Sequence, residues 1–192
     1  MNRVVIGIFV GGAGTRMGGV AKGLLEAPAS ASRETLIERL LRVCREAVPH
    51  AAPYLVGQSS AYARFGLPQL NDDPAGVGPI GGLRSLLLRG REVGAEQALA
   101  LACDLPFIDG ATLGELTSPL TAAARVPFVA GRFQPLAAAY APGAVLDAVD
   151  RALARGKHAL MAVLEELGSD LERLPSDARA LQDWDTPEDM TR

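Results

Sequence analysis

Val4-Val-Ile-Gly-Ile-Phe-Val10 followed by Gly11-Gly-Ala-Gly-Thr-Arg-Met-Gly-Gly19 is the stretch that decides the fold. The apolar run is β-branched and continuous rather than alternating, the pattern of a strand covered on both faces of a parallel sheet. The loop that ends it holds five glycines between positions 11 and 19, with Arg16 inside it and Lys22 just beyond. Glycines let backbone N–H groups approach phosphate oxygens closely, and the two cations neutralise phosphate charge. The competing reading is a flexible loop with two solvated cations. A Walker A loop does not fit, because Lys22 follows Ala21 and precedes Gly23 instead of standing in Gly-Lys-Ser/Thr. A dinucleotide fingerprint started at Gly12 needs a glycine where Met17 stands, and the bulky Arg16 sits badly beside it.

Beyond the glycine loop, Leu36, Ile37, Leu40, Leu41 and Cys44 recur at helical spacing between Arg33 and Val48, and Pro49 stops the pattern. Pro53–Val56 and Leu67–Leu70 read as short strands. Pro79 opens a helix over Ile80–Arg89, since proline lacks a donor that would be unpaired there anyway. Ala98–Ala102 reads as a further buried strand running into Cys103-Asp104-Leu105-Pro106. A helix around Asp109–Leu116, strands near Pro127–Ala130 and Leu136–Ala141, and helices near Ala144–Ala154 and Ala159–Leu167 complete the outline. Strands alternating with helices predict an α/β fold: three layers, a doubly wound and mostly parallel sheet, Rossmann-like. In such folds ligands lie beyond the carboxyl ends of the strands, where both the glycine loop and Asp104 fall.

The 192 residues predict one domain, with a nucleotide-binding half over about 1–110 and a subregion over about 126–174 covering one end of the sheet. With 48% hydrophobic and 21% charged residues the chain is too apolar to be disordered. Its formal net charge of −3 argues against a nucleic-acid binder with a broad basic face. Cys44 and Cys103 are too few and too far apart for a zinc knuckle or disulfide framework. The first apolar run is too short to span a bilayer and carries no signal-peptide cleavage pattern, so the expectation is a soluble cytoplasmic protein without a membrane.

The loop Gly-Gly-Ala-Gly-Thr-Arg-Met-Gly-Gly-Val-Ala-Lys-Gly-Leu-Leu over 11–25 resembles the signature of nucleotidyltransferases, and is most similar to the molybdenum cofactor guanylyltransferase family. That resemblance implies the nucleotidyltransferase version of the fold, GTP and molybdopterin as substrates, Mg²⁺ as cofactor, and molybdoenzyme maturation proteins as further candidate partners. It implies nucleotide contacts from Val10, Gly11, Gly12, Gly14 and Lys22, with Arg16, Lys22 and Asp104 as the catalytic set. Phe9-Val10 stands where the family has Leu-Ala, a mild departure because contacts there are expected through the backbone.

Further elements extend the resemblance. Asn71-Asp-Asp-Pro74 followed by Gly78-Pro-Ile-Gly-Gly82 is similar to the family segment whose acidic residue precedes Gly-Pro-x-x-Gly, implying Asp72, Gly78 and Gly82 beside the base and ribose. A plain turn before a helix accounts for Pro79 but not for three glycines. Cys103-Asp104-Leu-Pro-Phe107 is similar to the element whose aspartate binds the metal, a hard-oxygen donor of the kind Mg²⁺ takes one or two of. Asp104 capping its own turn or the next helix is the alternative, and Cys103 reads as packing. Gln134, in Arg132-Phe-Gln-Pro135, replaces a family histidine. Lys157 and His158 stand where the family has paired arginines toward the acceptor, keeping positive character without the bidentate fork. A polar break between helices explains them as well. Asp183-Trp-Asp-Thr-Pro-Glu-Asp189 is similar to the family ending: Thr186 and Pro187 are helix-start chemistry, and Asp185 is preferred over Asp183 as second metal ligand. Base specificity stays open between GTP and CTP, as do another phosphorylated acceptor and a non-catalytic nucleotide-binding protein.

Overall fold

The opening apolar run forms β1 (Val4–Phe9), buried at all six positions in a computed structural model that describes residues 3–11, 21–28 and 33–184. β1 is buried on both faces because it lies mid-sheet. It pairs in parallel with β2 (Ala52–Val56) on one side and with β4 (Gln97–Ala102) on the other. β2 in turn pairs in parallel with β3 (Gln69–Leu70). Beyond β4, β7 (Ala137–Tyr140) runs antiparallel and joins β5 (Ala124–Val129), which carries the two-residue β6 (Arg132–Phe133) as a hairpin. β8 (Leu171–Pro175) pairs in parallel with β5. Among the described residues these eight strands make one sheet, ordered β3-β2-β1-β4-β7-β5.

Helices cover both faces, as the continuous apolar pattern of β1 requires. Ile6 and Ile8 face α1 (Leu36–Ala47) and α3 (Gly110–Thr117). Val5 and Phe9 face α2 (Pro79–Glu92), α4 (Pro142–Ala154) and α5 (Leu160–Leu167). The layered, mostly parallel α/β architecture is therefore the one the sequence predicts. α1 starts at a full capping box: Thr35 accepts from the Glu38 amide and Glu38 Oε2 accepts from the Thr35 amide at 2.7 Å. It ends at Ala47, ahead of Pro49. Asp109, rather than Asp104, caps α3, accepting from the Thr112 amide at 2.8 Å.

The structure differs from the sequence outline at several elements. Lys22–Leu24 and Ser60–Phe65 are 3₁₀ turns, too short to show a period. β3 covers only two of the four residues expected, since Pro68 brings no donor to a ladder. β8 is half exposed, and its Glu172, Arg173 and Pro175 read as a surface loop until β5 supplies a partner. β5 begins at Ala124, earlier than expected, because buried Arg125 is satisfied by Glu172 and by the carbonyls of Glu115, Ser118 and Pro119. No helix among the described residues is long and apolar enough to cross a membrane.

Candidate active site at the carboxyl edge of the sheet

β1, β3 and β4 all run toward the same edge, so Val10, Asn71 and Cys103 leave the sheet there. β7 runs the opposite way and begins there, its Leu136 carbonyl accepting from the Ala102 amide at 2.7 Å. α4 starts after β7 at the far edge and returns, which brings the α4–α5 turn at Gly156–His158 to the same end. Topology alone thus gathers segments separated by well over a hundred residues.

At the centre, Lys22 Nζ lies 2.8 Å from Asp104 Oδ2, joining two residues 82 positions apart. Both side chains are mostly sheltered, 20% and 14% exposed. Lys22 is held by its neighbour: the Gly23 amide donates to Tyr62 Oη at 3.1 Å. Tyr62, 1% exposed, also reaches Cys103 Sγ at 4.0 Å, so one buried ring underlies both chain segments of the ion pair. A side chain at Gly23 would stand 3.0 Å from that ring and 3.2 Å from Cys103 Cβ. Burial pushes the Cys103 thiol up to about 12, which leaves it protonated at neutral pH and unsuited to nucleophilic work.

On the α2 side, the Asn71–Pro74 segment is strapped to the helix. The Asp73 amide donates to the Gly81 carbonyl, Ser85 Oγ donates to the Asn71 carbonyl, and Arg84 bridges Asp73 and Asp150. Asp72 is half buried against Gly81 and Gly82, and that burial raises its carboxyl above the usual range. Gly78, at φ 77°, precedes Pro79 and lies open. Gly82 points inward: a Cβ there would meet Val56 at 2.6 Å and Phe9 at 2.9 Å. The glycine that reads as a surface for the base therefore also lets α2 close onto β1 and β2. Val10 donates its amide to the Val56 carbonyl at 3.0 Å, and Gly11 is exposed.

Gln134 sits between β6 and β7, its amide donating to the Pro127 carbonyl and its carbonyl accepting from Ala137. Lys157 and His158 are exposed in the α4–α5 turn, with Lys157 Nζ 3.2 Å from Glu165. Gly12, Gly14, Arg16 and Asp185 lie outside the described residues. The described chain nevertheless reaches the site at its far end, where the Trp184 amide donates to the Asp104 carbonyl at 3.1 Å. Trp184, buried against Leu36 and Ala27 and edge-on to Phe107, anchors that approach. Sequence reasoning missed both Tyr62 and this backbone tie: a lone tyrosine in a turn and a tryptophan beside acids carry no spacing signal.

Asp104 is suited to Mg²⁺. Its carboxylate stands at a strand end, and among the described residues only Lys22 is paired with it. Magnesium takes one or two protein carboxylates and completes its octahedron with water and substrate phosphates. Among the described residues no group of three His, Cys, Asp or Glu side chains converges as a full protein cage.

A family model described as a MobA-like NTP transferase domain matches residues 6–171. The molybdenum cofactor guanylyltransferase of Pseudomonas fluorescens is 30% identical over 184 residues, covering 94% of this chain and 88% of that one. The probable molybdenum cofactor guanylyltransferase of Opitutus terrae is 30% identical over 165 residues, 83% and 81% of the two chains. Among solved structures, molybdopterin-guanine dinucleotide biosynthesis protein A of Archaeoglobus fulgidus superposes with a TM-score of 0.74 at 22% identity, covering 97% of this chain and 94% of that one. The 2-C-methyl-D-erythritol 4-phosphate cytidylyltransferase of Thermus thermophilus gives a TM-score of 0.69 at 15% identity, covering 98% and 96%.

Proposed function

Because the chain belongs to the MobA-like NTP transferase family and is thus a nucleotidyltransferase, we propose that it transfers GMP from GTP to molybdopterin as a soluble cytoplasmic enzyme. The terminal phosphate of the acceptor attacks the α-phosphorus in line, a new P–O–P bond forms, and the bond to pyrophosphate breaks. The acceptor phosphate is already ionised at neutral pH, so no protein base is required. Catalysis rests on positioning and charge neutralisation.

The observation that supports this reading is the Lys22–Asp104 pair at the carboxyl edge, a cation of the kind that neutralises phosphate beside a carboxylate of the kind that takes a hard metal ion. In it, Lys22 and Arg16 neutralise the triphosphate, with Gly11, Gly12 and Gly14 bringing backbone close to the phosphates. Asp72 and Gly78 border the base and ribose. Asp104, with Asp185 as second carboxylate, would hold Mg²⁺, and the ion would supply neutralisation of phosphate charge. Gln134, Lys157 and His158 face the acceptor.

The test is thermal melting with GTP, CTP, ATP and UTP, each with Mg²⁺ and with EDTA. GTP at 100 times its dissociation constant stabilises by about 2.7 kcal/mol, a shift of roughly 5–10 °C at this size. The expected result is a Mg²⁺-dependent shift for GTP alone, followed by pyrophosphate release once molybdopterin is added. Asp104→Ala should lower turnover by about 10²–10³-fold. Undiminished turnover in that variant refutes the metal-anchored reading, and a CTP preference changes the donor while keeping the chemistry.

A further inference from the structure

We propose that Phe128, Phe133 and Arg173 form a seat for the planar ring system of the acceptor. The proposal rests on the reading that the acceptor is a phosphorylated pterin. Phe128 and Phe133 are opposite each other in the β5–β6 hairpin, their ring centroids 4.9 Å apart at 60°. Arg173, reaching over from β8, holds its guanidinium 4.9 Å from one centroid and 5.3 Å from the other. It has no carboxylate within 4 Å among the described residues, whereas Arg125 on the adjacent strand pairs with Glu172. Both rings are partly exposed and Arg173 is exposed.

Strand register puts this cluster at the active edge. Ala124 and Ala98 both pair with Tyr140, so Phe128, four residues on, stands level with Ala102, two residues short of Asp104. Two strand spacings separate β5 from β4, about 10 Å. Ala124 and Val126 face α4 and α5, and alternation puts Phe128 on that same side. Lys157 and His158 turn at this side and edge. An acceptor with a phosphate at one end and a flat heterocycle at the other is thus offered a charged end at Lys22 and Asp104. At the other end it meets an aromatic, guanidinium-bearing one. Rings with carbonyl and nitrogen acceptors suit both partners, stacking on phenyl faces while accepting from the guanidinium fork.

The test titrates 6-hydroxymethylpterin, read by quenching of its own fluorescence, into the whole chain and into Arg173→Gln and Phe133→Leu. Saturable quenching by the wild type is expected, weakened about fivefold to tenfold in each variant, with melting temperature and GTP affinity unchanged. With molybdopterin and GTP, KM for the pterin substrate should rise by the same factor while kcat holds. Absence of pterin binding by the wild type, variants that bind like it, or losses that follow a fall in melting temperature each overturn the seat. Whether the wild type turns over molybdopterin at all reports separately on the reading beneath it.

Discussion

Gly82 shows how one residue serves two demands. A methyl group there would stand 2.6 Å from Val56 Cγ1 and 2.9 Å from the Phe9 ring, neither of which can retreat within a packed core. Gly82→Ala should therefore destabilise the fold by about 1–3 kcal/mol, read as a lower melting temperature. A loss of GTP affinity at unchanged melting temperature would assign the glycine to the nucleotide instead. From sequence, Gly78, Gly81 and Gly82 signal close approach, but they do not say whether helix, sheet or ligand is approaching. Lys22 and Asp104 were legible because charge at the end of an apolar strand and after a glycine loop is chemically conspicuous. Tyr62 was not: its hydroxyl gains meaning only from the Gly23 amide 39 positions away.

At the scale of elements, β1, α1, α2 and β4 follow from local pattern because period, caps and prolines agree. α3 is short, and its start depends on Asp109, whose carboxyl is held below the usual range by the Thr112 amide hydrogen bond. Asp109→Ala should cost about 1 kcal/mol in chemical denaturation, and Asp109→Asn much less, because asparagine caps as well. β8 and the early start of β5 escaped prediction for a common reason. Charged and proline-bearing strands are stable only when a partner supplies the ladder, as β5 and β8 do for each other across five register positions.

Across the whole molecule, Arg125 ties β5 to β8 and to the end of α3, donating to Glu172 and to three backbone carbonyls. The hydrogen bond from Arg125 lowers the Glu172 carboxyl below its ordinary value. Its stabilisation is therefore fully present above the unfolded value of about 4.3 and is lost as pH falls through the folded one. Glu172→Gln should lower the denaturation midpoint at pH 7, and the gap from wild type should close on acidification. A gap that persists at the lowest pH counts against the ion pair as its source. Local sequence pattern specified the α/β class and the strand before the glycine loop, and it marked Lys22 and Asp104 as separate charged candidates, one for phosphate and one for a metal. These depend on local periodicity and on which side chains carry the required chemistry. Tertiary structure decided the strand order, the reversed β7 that turns Gln134 and the α4–α5 turn toward the carboxyl edge of β1 and β4, and the 2.8 Å approach of Lys22 to Asp104. Pairing between strands far apart in the chain is fixed by the total surface they bury together, and no local window of residues contains that sum.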